Sequence, residues 1–200
     1  NTTLQVDVQR QFEQAFVLLK SAALFTSKVL RFIVIVNHED IFKELLAKIE
    51  DWPERIRRNI ILDKKDIWFP DKEDFEKLFR LCSTERLFLV ENLPNEDSVV
   101  YLDTDTMFLH PPENLWAEFS KFNSIQMSGL SPSLYFYSPD NPRIPVYGQS
   151  GVNAGVWMMN LTRMRHFPGG WINTCINVTN EYRSKLLLGD QDIANVIFNR

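Results

Sequence analysis

The stretch from Ser98 to Pro112, SVVYLDTDTMFLHPP, constrains this chain more than any other. Val99, Val100, Tyr101 and Leu102 form a short apolar run of β-branched and aromatic residues, which predicts a strand buried on both faces. The run ends in Asp103-Thr104-Asp105. A carboxylate buried without a partner is costly or loses its charge. Residues two apart on an extended chain point the same way, so Asp103 and Asp105 can face one point in space. A hard divalent cation there removes their repulsion, and oxygen ligands suit magnesium or manganese. In an open α/β sheet, the carboxyl end of a strand is also where ligands usually sit. The alternative is ordinary turn chemistry, with each side chain bonding nearby backbone amides. A second apolar run (Met107, Phe108, Leu109) and then Pro111-Pro112 follow, and that setting puts the ligand-binding alternative ahead.

Two hundred residues suit one domain, or most of one, and 1–200 is expected to be a single partial domain. With 44% hydrophobic and 12% aromatic residues, the chain can bury a sizeable core. The net charge is -4 and no basic stripe is present, which speaks against a nucleic-acid partner. No apolar run approaches the roughly 20 residues of a membrane span. The polar start, NTTLQVDVQRQFEQ, is no signal peptide and lacks an initiator Met, so the chain is expected to be a piece of a longer protein. Cys82 and Cys175 could be two buried thiols or one disulfide. Sequons at Asn1, Asn160 and Asn177 hint at a secretory compartment. Asn160 is expected to stay unglycosylated, because it follows the apolar run Val156–Met159.

Along the chain, Phe12, Phe16, Leu19 and Ala23 recur with helical period, predicting a helix from about Val8 to Lys28. Arg31–Val36 predicts a buried strand. Asp40 is expected to cap a helix with Phe42, Leu45, Leu46 and Ile49 inward, stopped by Trp52-Pro53. Arg58–Leu62 is a further short strand. Helices follow at Asp71–Phe79 and Cys82–Leu89. This alternation argues for a layered α/β domain with a mainly parallel sheet. Arg86 is either a surface arginine with a packed stem or a guanidinium reaching carboxylates or an anionic ligand.

Beyond Pro112, Glu113–Phe122 predicts a helix and Ile125–Leu130 a strand. Residues 131–150 read as one long loop, of the kind that tends to be functional. In Gly151–Asn160 the apolar second half is strand. The small residues around Asn153 fit either close backbone approach to a ligand or a β-bulge. A short turn at Arg163–His166 and a helix from Trp171 to Lys185 precede Gly189-Asp190-Gln191-Asp192, which opens a last helix that its acids could simply cap.

These polar points sit in runs that resemble the retaining glycosyltransferases of family 8, which have the GT-A fold. Within them the chain looks most like the glucoside xylosyltransferases. The matching runs are VLLKSAALF (17–25), RLFL (86–89), YLDTDTMFL (101–109), Pro-x-Asn-Leu-Trp (112–116), GVNAGVWMMNLTRMR (151–165) and GDQDIANVIF (189–198). The resemblance implies a mixed, mainly parallel sheet flanked by helices, truncated at both ends. It implies that Asp103 and Asp105 bind Mn2+ and, through it, the diphosphate of a UDP-sugar. Thr104 lies between them in the same donor site. Arg86 would contact the donor, and Asn153, Ala154 and Gly155 would line the sugar pocket. Asp190 and Gln191 would act at the donor sugar, with Gln191 near the anomeric carbon.

The implied donor is UDP-xylose and the implied acceptor is glucose O-linked to EGF-like repeats of the Notch type. The whole protein would be a type II membrane protein of the Golgi or endoplasmic reticulum, anchored outside this sequence with its catalytic domain in the lumen. The family's third metal ligand, a histidine, would follow Arg200, so residues 1–200 alone are expected to bind manganese and UDP poorly. A strand followed by Asp-Thr-Asp-Thr also suits a phosphatase of the haloacid dehalogenase type, whose first aspartate is the nucleophile. That nucleophile normally lies near the start of its domain, and this alternative leaves Asn153-Ala154-Gly155 unexplained. A third alternative is a divergent, non-catalytic member of the family.

Overall fold

The computed structural model describes residues 2–36, 38–70, 84–135, 137 and 143–200. Its contacts gather into two compact units, Asn1–Ile67 with Leu102–Lys121, and Trp68–Tyr101 with Phe122–Arg200.

The first unit opens with helix α1 (Thr2–Phe25), followed by β1 (Leu30–Ile35), α2 (Glu39–Glu50), the short α3 (Glu54–Arg57) and β2 (Ile60–Lys65). The helical stripe of α1 buries Phe12, Leu19 and Ala23 against Leu45 and Ile49 of α2 and against Trp52 and Ile56. Phe16 is partly buried, its ring edge-on to Trp52 at 5.2 Å between centroids. β1 and β2 pair in parallel, Leu30 opposite Ile60 through Ile35 opposite Lys65.

Several expectations need correction here. β1 is half-buried rather than buried, with Arg31 facing solvent and its other residues only partly covered. β2 starts at Ile60 because the Arg58 and Asn59 N–H groups are still closing α3 on the Glu54 and Ile56 carbonyls. His38, not Asp40, is the N-cap of α2 and makes no side-chain cap bond. Asp40 sits with Glu39 in the first turn, where acids favour the helix dipole. Leu46 is exposed, one step round the helix from the buried Phe42–Leu45–Ile49 stripe. After the aspartates comes α5 (Pro112–Ala117), with proline in its first turn, and a 3₁₀ turn over Glu118–Lys121 in place of one continuous helix. Glu113 Oε1 accepts from Thr26 Oγ1 (2.7 Å), Ser27 N (2.9 Å) and Ser27 Oγ (3.3 Å), tying α5 to the end of α1.

In the second unit, a 3₁₀ turn at Glu85–Phe88 runs into α4 (Leu89–Asn92). Then come β3 (Ser98–Leu102), β4 (Ser128–Pro132), β5 (Val152–Asn160), α6 (Leu161–Arg165), α7 (Trp171–Tyr182) and α8 (Asp190–Asn199). The sheet order is β3-β5-β4, with β4 antiparallel to β5, so parallel and antiparallel pairing both occur in the chain. β3 lies where the apolar run predicts but is half-buried throughout, as an edge strand of three can be. β4 starts three residues later than expected. Asn123 Oδ1 takes the Ile125 and Gln126 N–H groups into a turn and leaves Ile125 exposed. Ser131 and Pro132 belong to β4 rather than to the loop. α7 ends at Tyr182, short of Lys185. Asn160 is half-buried, and its side chain caps α6 by accepting from Arg163 N at 2.9 Å. Trp157 and Trp171, edge-on at 6.3 Å, anchor the core with Phe88, Met159, Met164 and Ile193.

The helix expected at 71–79 and Cys82 lie outside the described residues. Cys175 is buried, and burial pushes its thiol well above the usual range.

Candidate functional site

In the first unit, the chain turns at the aspartates instead of running on extended. The Asp103 carbonyl accepts from Thr106 N (3.1 Å) and Thr106 Oγ1 (2.7 Å). Thr104 and Asp105 are exposed on that turn and Asp103 is half-buried. The chain here is a turn rather than an extended strand, made by bonds to the Asp103 main-chain carbonyl. What remains is two hard oxygen donors on a tight turn, a donor set that suits Mg2+ or Mn2+ with water and phosphate completing the shell. Among the described residues, no three His, Cys, Asp or Glu side chains gather as a cation site.

In the second unit, the strand and the last helix build a denser constellation. Leu130 of β4 faces Trp157 of β5, but Ser131 faces Asn153, so Ala154, Gly155 and Val156 bulge out of register. The bulge that stood as one alternative is present, and it is what carries the small residues. Asn153 Oδ1 accepts from Gly155 N at 2.9 Å and closes it.

Helix α8 is buried from Asp190 to Ile197, so its polar residues must find partners inside the protein. Asp190 pairs with Arg86, Nε to Oδ2 at 2.8 Å. Both side chains are almost fully buried, at 5% and 7% exposure. Arg86 also donates from its terminal nitrogen to the Ala154 carbonyl at 2.6 Å, and its guanidinium lies 4.2 Å from the Tyr101 ring centroid. It is therefore no surface arginine, and the carboxylate it reaches is Asp190. Gln191 Oε1 accepts from Ala154 N at 3.1 Å. Arg86 and Gln191 thus grip the two backbone groups of Ala154, the residue at the heart of the bulge. The N-cap of α8 is Gly189, without a side-chain cap bond, and Asp190 and Asp192 follow it in the first turn.

Three partners, Asn195, Tyr137 and Arg143, had gone unnoticed in the sequence, and Asp192, which stood there as a possible cap, has further bonds. Asp192 Oδ2 accepts from Leu187 N, Leu188 N and Arg143, and its Oδ1 from Arg143 and the Tyr137 hydroxyl. Asn195 Oδ1 accepts from Val152 N at 2.8 Å, and its Nδ2 donates to Val152 O at 3.0 Å. Asn195 carried a usable signal, a polar residue four after Gln191 inside the otherwise apolar run Ile193–Phe198. Tyr137 and Arg143 carried none beyond lying in a long loop. Beside Arg86, Glu85 is buried, and burial pushes its carboxyl up to about 7 against hydrogen bonds from Asn92 and from the Trp68 backbone.

The family model of glycosyl transferase family 8 matches residues 6–200. Glucoside xylosyltransferase 2 of Xenopus laevis is 37% identical over 204 residues, covering 94% of this chain and 48% of that protein. Glucoside xylosyltransferase 1 of Homo sapiens is 32% identical over 208 residues, covering 94% and 46%. The chain thus spans about half the length of the curated relatives it matches. Among solved structures, mouse xyloside xylosyltransferase 1 aligns with a TM-score of 0.70 at 19% identity, over 94% of this chain and 76% of that one. The galactosyltransferase LgtC, solved with donor and acceptor sugar analogues, aligns at 0.74 with 21% identity, over 94% and 67%. The fold is that of the GT-A glycosyltransferases. Nothing in these comparisons favours the phosphatase.

Proposed function

The chain belongs to glycosyl transferase family 8, and on that premise we propose that it is the catalytic domain of a retaining glycosyltransferase. Its donor is UDP-xylose and its acceptor is glucose O-linked to EGF-like repeats. The names of the relatives, glucoside xylosyltransferases, support both halves of that assignment. The observation that carries it is the Arg86–Asp190–Ala154–Gln191 cluster, because a sugar transferase needs a rigid polar floor under the reacting carbon.

Each residue has a task its surroundings suit. Asp103 and Asp105 hold a divalent cation, Mn2+ in this proposal, with Thr104 between them on the turn. When bound, the cation neutralises charge on the leaving diphosphate. Asn153, Ala154 and Gly155 present the bulge to the donor sugar, where a larger residue would crowd it. Arg86 and Asp190 hold that bulge and the start of α8 in one arrangement. Gln191 offers a neutral amide near the anomeric carbon. It stabilises positive charge developing there without being a strong nucleophile, in keeping with attack by the acceptor hydroxyl on the face the leaving group departs from.

The proposed location is the lumen of the Golgi or endoplasmic reticulum, on a type II membrane protein. Asn177, the first residue of a sequon, is exposed on α7, which supports a secretory setting. Among the described residues no helix is long and apolar enough to cross a membrane, so the proposed anchor lies elsewhere in the protein.

The test is a donor screen. The full-length protein is incubated with a glucosylated EGF repeat, manganese and UDP-xylose, UDP-glucose or UDP-galactose in turn, and the repeat is weighed by mass spectrometry. Addition of one pentose from UDP-xylose is expected. Absence of transfer from every donor, with no manganese-dependent UDP binding, refutes the proposal.

A further inference from the structure

We infer that Tyr137 and Asn195 are positioning residues, which lock the side-chain amide of Gln191 in one orientation and hold the β5 bulge against it. This rests on the proposed place of Gln191 at the donor sugar.

An amide can turn end for end with little change of shape, so its hydrogen bonds decide which way it points. One end of Gln191 meets Ala154 N–H, which can only donate and therefore requires Oε1, at 3.1 Å. The other end, Nε2, meets the Tyr137 hydroxyl at 3.4 Å. That hydroxyl can receive it only if its own proton points elsewhere, and Asp192 ensures that it does. The Asp192 carboxylate accepts the hydrogen bond that the Tyr137 hydroxyl donates, at 2.9 Å, while gripped by Arg143 through both oxygens, at 2.6 and 2.9 Å. Burial raises the Tyr137 phenol far above its usual range, so that proton stays in place. The hydroxyl oxygen is left as an acceptor, for Gln191 Nε2 and for Asn195 Nδ2 at 3.0 Å.

Asn195 completes the frame from the next turn of α8. Its Nδ2 also lies 2.8 Å from the Gln191 carbonyl and 3.0 Å from Val152 O, while its Oδ1 holds Val152 N at 2.8 Å. Val152 is thus clamped at both backbone groups, two residues before Ala154. The approach is so close that a Cβ on Gly151 would lie 2.7 Å from Asn195 Oδ1 and 2.7 Å from the Tyr137 ring. Gly151 also has φ +70°, so glycine is required there twice over. A strand and a loop residue therefore hold the two ends of one amide, and Asn195, one turn along the same helix, holds that strand and that loop residue in place.

The experiment is a double-mutant cycle in the full-length protein, using Tyr137→Phe, Gln191→Ala and both together. The turnover number kcat is measured with donor and acceptor saturating and in excess over enzyme, and affinities for UDP and for intact UDP-xylose are measured by titration. A buried hydrogen bond of this kind is worth on the order of a tenfold change. Tyr137→Phe is expected to lower kcat roughly tenfold, leave UDP affinity unchanged and weaken intact UDP-xylose. It should cost nothing further in the Gln191→Ala background. The same loss in both backgrounds, or equal weakening of UDP and UDP-xylose, overturns the inference. Should Tyr137→Phe fail to accumulate folded, 3-fluorotyrosine at 137 keeps the ring and hydroxyl but weakens the acceptor, and the same cycle applies. If the unsubstituted protein transfers sugar but Tyr137→Phe matches it, only this inference falls. If the unsubstituted protein transfers from no donor, the proposed function falls and takes this inference with it.

Discussion

Replacing either member of the Arg86–Asp190 pair should destabilise the protein strongly, and replacing both should give most of that stability back. The two side chains are 7% and 5% exposed and meet at 2.8 Å. Removing one partner of such a pair leaves a charge with little water to hydrate it, a loss of about 3 to 5 kcal/mol. Arg86→Met belongs near the top of that range. It takes the Arg86 charge away from the Asp190 carboxylate and also removes the 2.6 Å donor of the Ala154 carbonyl. Asp190→Asn belongs near the bottom, because Arg86 keeps the Ala154 carbonyl and the face of Tyr101. The double variant buries no lone charge. Its remaining cost is an unmet carbonyl and lost packing, about 1 to 3 kcal/mol, far below the sum of the singles. The assay is urea unfolding of the full-length protein and the three variants, followed by the fluorescence of the buried Trp157 and Trp171. A double variant whose loss equals the sum of the single losses would refute the reasoning, since it would mean that neither charge depends on the other.

Four further outcomes follow from single residues. Glu85→Gln should stabilise the protein in alkali. The folded carboxyl is raised to about 7, so its contribution is favourable below about pH 4.5 and is lost as pH rises through 7. The gain in melting temperature should therefore be small at pH 5 and largest at pH 8, and a gain independent of pH counts against it. Glu113 runs the other way. Despite a burial cost, hydrogen bonds from Thr26 and Ser27 hold its carboxyl down to about 2, so its stabilisation is present above about pH 4.5 and lost as pH falls through 2. Glu113→Gln should lose roughly 1 kcal/mol at neutral pH and flatten acid unfolding between those values, as read by circular dichroism. Gly151→Ala should cost on the order of 2 kcal/mol or more by chemical denaturation, because the new Cβ meets Asn195 and Tyr137 in a left-handed backbone; a neutral effect would disprove that crowding. Asp105→Asn in the full-length protein should abolish transfer while leaving the melting temperature in place, since the side chain is exposed on its turn; normal turnover at limiting manganese would remove Asp105 from the metal.

Local pattern carried a good deal of this structure into plain view in the sequence. The Phe12–Leu19–Ala23 stripe marks α1, and the apolar run before Asp103 marks β3, because period and composition depend only on near neighbours. Depth of burial was less visible. An apolar run predicts a strand equally well in the middle or at the edge of a sheet, and β3 at its edge is only half-buried. The turn after it stood only as the second alternative for a related reason, since Thr106 bends the chain through a hydroxyl that leaves no mark on hydropathy.

The bulge in β5 shows most clearly where sequence pattern stops. Small residues around Asn153 allow it, but only the pairing of Leu130 with Trp157 and of Ser131 with Asn153 creates it. The partners that give it a purpose lie farther away still, Gln191 at 37 residues and Arg86 at 68 from Ala154. No window on the sequence spans those distances. One signal does. Asp190, Gln191, Asp192 and Asn195 share a helix whose remaining buried positions are apolar, and polar side chains inside a protein must be paired. A buried helix with so many polar groups demands an equal set of donors and acceptors from somewhere else in the fold. Arg86, Arg143, Tyr137 and the backbone of the bulge meet that demand. The pattern of α8 therefore tells a reader of the sequence that a polar site exists and which helix holds it, while the identity of its partners has to come from three dimensions.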